Sequence, residues 1–389
     1  MKTPMLRRNT LPPGPTPLHL RLQQVFLRQM EDGGELRPGG RMPSERELCA
    51  LYGVSTITVR RALSELVAAG RVIRQAGVGT FVTSVRGRAQ LGLVVFGFDE
   101  EDWHRNSDIH GDLIGGIASA CWEHEAVFSL IRAPLNTPIA PLLESLVSER
   151  LFDGLILRTA GDFLGQDVVP LVQSKVPFVL VKRTIEQMSV NCVVVDEFQG
   201  GYLATKHLVD LGHRNIAFIG PTGLSIFLQG YQGYVYAMQE AGLVVDPSLV
   251  RVIPASRQSD AYEASRELLN CELPTAIFAA GDVLAEGVYQ ACSEAGLAIP
   301  KDVSVVGHDD CAAAIRLRPL LTTMHFSYHD LGFASTELLL EALVSSDHNP
   351  APRREVIVPR LVIRESTCPP RSGLSSLQCL DTQSVKLGD

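Results

Sequence analysis

The sequence predicts a mixed α/β protein in two parts, a winged helix-turn-helix N-terminal domain and a larger body of two Rossmann-like lobes. Three observations carry that reading. Near residue 90 the hydrophobic pattern changes from amphipathic helices to short continuous apolar runs alternating with helix-length segments. Charge changes there too: residues 1–88 hold 14 Lys and Arg against 6 Asp and Glu, the remainder 21 against 37, within a net charge of −8. A basic head on an acidic body is how a nucleic-acid module joined to another function is charged. Lastly, two helix patterns meeting at a glycine turn precede a pair of short strands around a second glycine turn.

The 389 residues allow two or three domains, and a 46% hydrophobic composition suits a globular chain with a sizeable core. No apolar run reaches the ~18 residues of a membrane span. Residues 1–17, rich in proline and without an apolar stretch, read as a disordered tail and not a signal peptide. The 8 cysteines are scattered without a CxxC pair, so neither a zinc site nor a disulfide framework is expected, and a reducing cytoplasm fits. No cofactor is called for.

Within the head, Leu22, Val25, Phe26 and Met30 recur at helical spacing before Gly33 and Gly34. Ser44 followed by Glu47 forms a capping box for a second helix that stops at Gly53. Ser55 caps a third, whose stripe Val59, Ala62, Leu63, Leu66 and Val67 faces the core. That leaves Thr56, Thr58, Arg60 and Arg61 toward solvent, where Arg can donate in pairs to guanine and Thr can meet phosphate or a thymine methyl. RVIRQAGVGTFV then reads as the wing. The same GVGTF as a nucleotide-binding glycine loop fails, because Val82 stands where a third glycine is needed and no helix follows.

The run from LRPGGRMPSERELCALYGVS through TVRRAL to GVGTFV resembles the winged-helix domain of GntR-family regulators almost end to end. The resemblance implies that Arg46 and Arg60 contact double-stranded DNA, helped by Ser55 and Thr58 and by the wing backbone at Gly77. The family commonly has Arg where this chain has Thr56, which implies a different preference at one operator base.

After a polar linker at 85–90, LGLVVFGF, DGLILR, PFVLVKR, CVVVDE, RNIAFIG, TAIFAAGD and VSVVGHDD read as parallel strands buried on both faces. Ligands of such sheets bind outside the carboxyl ends of the strands. The segments VVVDEFQGGYLATKHLVDLGHRNIAFIG, LPTAIFAAGDVLAEG, VSVVGHDD and PRLVIREST resemble the effector domain of LacI-family regulators, itself similar to periplasmic sugar-binding proteins. That implies a periplasmic-binding-protein-type domain over 91–367, with lobe 1 at about 91–183 and 323–345 and lobe 2 at about 191–318 and 353–367. The chain would cross between them near 184–192, 318–322 and 345–355, and 368–389 would be a flexible tail. Implied effector contacts are Asp282, Lys182 and Arg183, with Trp103 in the loop after the first strand offering a stacking face. A helix N-cap is the alternative for Asp282. Asp196 and Asp309 match positions that hold the lobes together. Gly230 stands where the family usually has an effector-binding Arg, leaving open a different ligand, substitution by Gln229, or a lost effector.

The expected function is a sequence-specific DNA-binding regulator, a repressor by analogy, acting as a homodimer and controlled by a carbohydrate-like small molecule. A constitutive DNA-binding protein with a degenerate pocket is the alternative. An enzyme lacks its motifs: there is no GxGxxG after a strand, no GxSxG and no HExxH, and His325 and His329 have no Glu between them.

Overall fold

The computed structural model describes residues 16–30, 36, 40–68, 71–75, 79–82, 88–149, 151–186, 188–271, 273–344 and 351–371. The chain divides into two units at Ala89/Gln90.

The head is three helices and a hairpin: α1 (Leu18–Met30), α2 (Glu45–Tyr52), α3 (Thr56–Ala68), β1 (Val72–Gln75) and β2 (Gly79–Val82). The capping box forms as the sequence predicts. The Glu47 amide donates to Ser44 Oγ at 3.3 Å, and the Ser44 amide donates to the Glu47 carboxylate at 2.7 Å. Gly53 ends α2 at φ 65°, a left-handed turn that costs glycine nothing. Ser55 accepts from the Thr58 amide at 3.3 Å and starts α3. Leu22, Phe26, Leu48, Val59, Ala62, Leu63 and Leu66 are buried together, with Phe26 meeting Tyr52 edge to face. Val67 departs from the expected stripe: it is 38% exposed, because the buried arc of α3 closes at Leu66. β1 and β2 pair antiparallel, Val72 opposite Val82, and Arg41 bridges to Phe81 beside them.

The body begins with β3 (Gln90–Phe96), α4 (Glu100–Arg105), α5 (Ser107–Glu123), β4 (Val127–Arg132), α6 (Ile139–Glu149), β5 (Gly154–Thr159), α7 (Val169–Ser174), β6 (Phe178–Val181) and β7 (Cys192–Val195). It continues with α8 (Glu197–Asp210), β8 (Ile216–Gly220), α9 (Ser225–Glu240), β9 (Val250–Val252), α10 (Gln258–Cys271), β10 (Ala276–Ala279), α11 (Asp282–Glu294), β11 (Ser304–Asp309), α12 (Ala312–Arg316) and β12 (Thr322–His325). α13 (Tyr328–Val344), β13 (Arg354–Ile357) and β14 (Arg360–Val362) complete it. Two six-stranded sheets result, ordered β13-β7-β6-β5-β3-β4 and β14-β12-β11-β10-β8-β9. Every pairing is parallel except β12 with β14.

The sheets correct the expected lobe boundaries. β7 pairs with β6 and belongs to the first lobe, β12 pairs with β11 and belongs to the second, and β13 returns to the first. The crossings therefore lie at Asp196, at Phe326–Ser327 and at Val358–Pro359, each a few residues beyond the expected place. The reason is that each chain passage completes a strand in the lobe it is leaving. At the first crossing the Asp196 amide donates to the Ile357 carbonyl at 3.0 Å, tying it to the third. Residues 368–371 are not loose either: the Cys368 amide donates to Ser304 Oγ at 3.1 Å, and His213 Nε2 lies 2.9 Å from the Cys368 carbonyl.

Candidate functional site

On the head, Arg46, Ser55, Thr56 and Arg60 are exposed and Thr58 is half-buried, all on α2 or at the start of α3. Gly77 lies outside the described residues. Glu45 joins three elements: its carboxylate meets Arg60 of α3 at 2.8 Å and Arg74 of β1 at 3.3 Å. Arg60 is 66% and Arg74 43% exposed, so these pairs are weak and their cations are free to exchange Glu45 for phosphate. Sequence reasoning missed Arg74 and also Ile57, which is 80% exposed one position into α3. An apolar residue held out to water on such a helix suits a thymine methyl.

In the body, the carboxyl ends of both sheets face one cleft. Lys182 follows β6 and Asp309 ends β11, and both have left-handed backbone, φ 58° and 108°. Positive φ at non-glycine residues costs on the order of 1–3 kcal/mol each. Here it turns the two side chains toward one another. Lys182 Nζ lies 3.1 Å from Asp309 Oδ1, 3.4 Å from Glu197 Oε1 at the start of α8, and 3.1 Å from the Tyr328 hydroxyl. His308 stands 3.3 Å from the other Glu197 oxygen. Burial works against charge on Lys182, but Asp309 and Glu197 hold its ammonium above the ordinary lysine range. Burial would likewise raise Asp309, yet Lys182 and His308 keep its carboxyl well below the usual range.

Lys182, Glu197, His308 and Asp309 line a cavity with Phe227, Gly230 and Phe278. Its volume is about 30 Å³, room for one or two waters. Gly230 is not demanded by packing at its own Cβ position, where a methyl would meet only the Glu197 carbonyl at 3.8 Å. Its neighbour is less tolerant: a Cβ on Gly201 would lie 2.0 Å from the Gly230 carbonyl, so α8 and α9 cross backbone to backbone there. Further contacts close the rim. Arg257 meets Asp99 at 3.1 Å, Asp162 accepts from Ser225 at 2.8 and 2.9 Å, and Asp108 accepts from the Ala312 amide.

Of the four effector residues the sequence singled out, only Lys182 lines this cavity. Arg183 is buried and donates to the carbonyls of Ala160, Gly161 and Lys182, fixing the loop after β5. Burial and the like charge of Arg158 pull its guanidinium down to about 10, opposed by Asp162 at 3.7 Å and Glu197. Trp103 stacks on the His110 ring at 4.0 Å, and Arg132 lies 4.8 Å over the indole. Asp282 departs furthest from expectation. It is fully buried, accepts from Thr323 Oγ1 at 2.6 Å and from the Cys311 amide at 2.8 Å, and Gly281, not Asp282, occupies the N-cap of α11. Burial and the charge of Asp309 raise its carboxyl well above the usual range. Glu197, His308 and Tyr328 were not foreseen. Their signal was weak, since each stands at a strand or helix end like many other polar residues.

Residues 26–82 match the family model described as bacterial regulatory proteins, gntR family, and residues 205–367 match that of the periplasmic binding protein-like domain. An HTH-type transcriptional repressor PurR from Pasteurella multocida is 35% identical over 262 residues, 66% of this chain and 76% of that one. A LacI family transcriptional regulator from Enterococcus faecium, solved with bound ribose, superposes with a TM-score of 0.61 at 27% identity, over 72% of this chain and all of that one. The chain is a LacI-type transcriptional regulator with a gntR-family head. An arabinose metabolism transcriptional repressor from Geobacillus stearothermophilus aligns with both parts of the regulator, at 27% identity over 90% of this chain and 98% of that one. Among the described residues no helix of the regulator is long and apolar enough to cross a membrane.

Proposed function

We propose that this regulator is a cytoplasmic repressor that binds operator DNA as a homodimer and changes its grip when a polyhydroxylated small molecule enters the cleft between the lobes. The observation that carries the reading is the strained, buried Lys182–Asp309–Glu197 cluster, which spans both lobes at the edge of the cavity. A ligand favouring one lobe arrangement over another shifts the balance between them by its difference in affinity. Relatives supply the chemistry: one has ribose bound and another is named for arabinose metabolism. The cavity is too small for a sugar, so entry requires the lobes to part and these ionic contacts to rearrange. On the head, Arg46, Arg60 and Arg74 supply cations, Thr56 and Ile57 meet base edges, and Ser55 and Thr58 begin the helix that carries them.

Selection of DNA from a random-sequence pool with the full chain tests the first half. It should enrich one palindromic site, and Arg60→Ala should lower affinity for it. A base contact would show as lost discrimination of roughly 1–3 kcal/mol, a phosphate contact as a salt slope smaller by about one. Recovery of no sequence above background would refute operator binding. For the second half, a melting screen against pentoses and hexoses should reveal a stabilising ligand, about 2.7 kcal/mol at 100-fold its Kd. The inter-lobe ion pairs of Lys182 with Asp309 and Glu197 favour one rival, a regulator that holds this arrangement permanently. It predicts operator affinity indifferent to every sugar and sugar derivative.

A further inference from the structure

Four cations gather at the carboxyl ends of the first sheet: Arg132, Arg158, Lys182 and Arg183. Arg132 is met by Glu100 at 2.9 Å, Lys182 by Asp309 and Glu197, and Arg183 by Asp162 at 3.7 Å. Arg158, in β5, is the exception. It is 8% exposed and no carboxylate among the described residues lies within 4.0 Å of it; it donates a hydrogen bond to the Tyr328 hydroxyl and feels the charge of Asp309 farther off, but among the described residues its Nε has no hydrogen-bond partner. Its guanidinium lies 5.5 Å from the centre of the Phe98 ring and 5.6 Å from that of Tyr328. A buried guanidinium with no carboxylate in contact and one nitrogen unsatisfied is costly for a fold to keep.

A second group with an unpartnered nitrogen stands beside it. His110, 3% exposed, packs edge to face on the same Phe98 at 5.0 Å, and among the described residues its Nε2 also lacks a partner. Burial and the nearby charges of Arg158 and Arg132 keep its imidazole neutral, pulled down to about 3, so one ring nitrogen is a donor and the other an acceptor. Both groups lie under the rim that the lobes close, for the loop after β3 reaches Arg257 through Asp99 and the loop after β5 reaches Ser225 through Asp162. Parting the lobes would uncover them.

We propose that the effector carries an anionic group, a carboxylate or a phosphate ester on a polyhydroxylated molecule, and that Arg158 and His110 receive it. The inference rests on the effector-gated reading above and narrows it to a ligand class. Arg183, its donors committed to backbone, is a positioning residue for the loop next to this pair.

The test is a melting and calorimetric titration of the full chain with matched probes: glucose, glucuronate, glucose 6-phosphate and inorganic phosphate. A hexuronate or hexose phosphate should stabilise the protein where glucose does not, and whichever of the two succeeds identifies the anion. Arg158→Met should weaken that binding roughly 10- to 100-fold, as loss of a hydrogen bond to a charged group does. The same variant without ligand should still unfold cooperatively, since methionine fills the buried space and the lost Tyr328 contact is offset by removal of a desolvated charge. Stabilisation by glucose alone overturns the anionic class and leaves the gated regulator standing. Binding of the anionic probe undiminished in Arg158→Met, or stabilisation by phosphate equal to that by the sugar phosphate, overturns the assignment. If no probe stabilises the protein, the assignment falls, and operator affinity across the wider panel of pentoses and hexoses decides the gated reading separately.

Discussion

Lowering the pH from 7 to 5 should destabilise the body through His110, and His110→Phe should remove that part of the loss. The imidazole titrates at about 3 in the folded protein, with burial as the main cause and the Arg158 and Arg132 charges behind it, against 6.5 for a free side chain. A base whose folded value is depressed contributes stability that is fully present above the unfolded value and is lost as pH falls through the window between the two. At pH 5 about 1.5 pH units of that window have been crossed, and at about 1.4 kcal/mol per unit the loss approaches 2 kcal/mol. At pH 7 it is close to zero. Phenylalanine keeps an aromatic ring between Trp103 and Phe98 while removing the titration. Urea unfolding followed by tryptophan fluorescence reads the body alone, because Trp103 and Trp122 are the protein's 2 tryptophans. His207 and His213 are also pulled down by burial, so the parent will lose further stability at pH 5. The difference between parent and variant isolates His110. Equal losses in both proteins between pH 7 and 5 would refute the assignment of a buried neutral imidazole.

Lys182→Met should leave Glu197 and Asp309 buried without their cation and cost about 3–5 kcal/mol by urea unfolding, with part recovered by adding Glu197→Gln. A neutral single variant would mean that the cluster is solvated. Gly201→Ala forces α8 away from the Gly230 carbonyl and should lower stability by roughly 1–3 kcal/mol, whereas Gly230→Ala should be nearly silent in the same unfolding assay. Ser44→Ala removes the side-chain cap of α2 and should cost the head about 1 kcal/mol, read by helical circular dichroism of residues 16–89 if that unit is produced alone, or by hydrogen exchange in the full chain.

What the sequence disclosed and what it concealed divide along physical lines. The capping box at Ser44 and Glu47 is a contact three residues apart, and the apolar runs FVLV, CVVV and IAFIG are buried on both faces of their sheets, so local pattern carried them. An apolar run does not say which sheet it joins, however. Cys192–Val195 and Thr322–His325 were therefore placed in the wrong lobes, their partners being set by tertiary pairing alone. The site shows the same limit. Lys182 finds Asp309 127 residues away and Tyr328 146 residues away, distances at which no spacing rule operates. Asp282 follows a strand and opens a helix as a ligand-binding carboxylate would, but Gly307 opposite it has no side chain. The carboxylate sinks into that space, where a Cβ would stand 2.2 Å from Oδ1.

The triple passage between lobes has a consequence for how this molecule can be altered. Residues up to 89 hold one core of their own, so a single cut and splice there would graft a different DNA reader onto the same body. No single cut releases a lobe. Each is assembled from stretches before and after the other, and a chain stopped before Arg354 would strip an edge strand from both sheets at once. Heads are therefore free to be exchanged by recombination, whereas the two halves of the ligand site are inherited together and change only residue by residue.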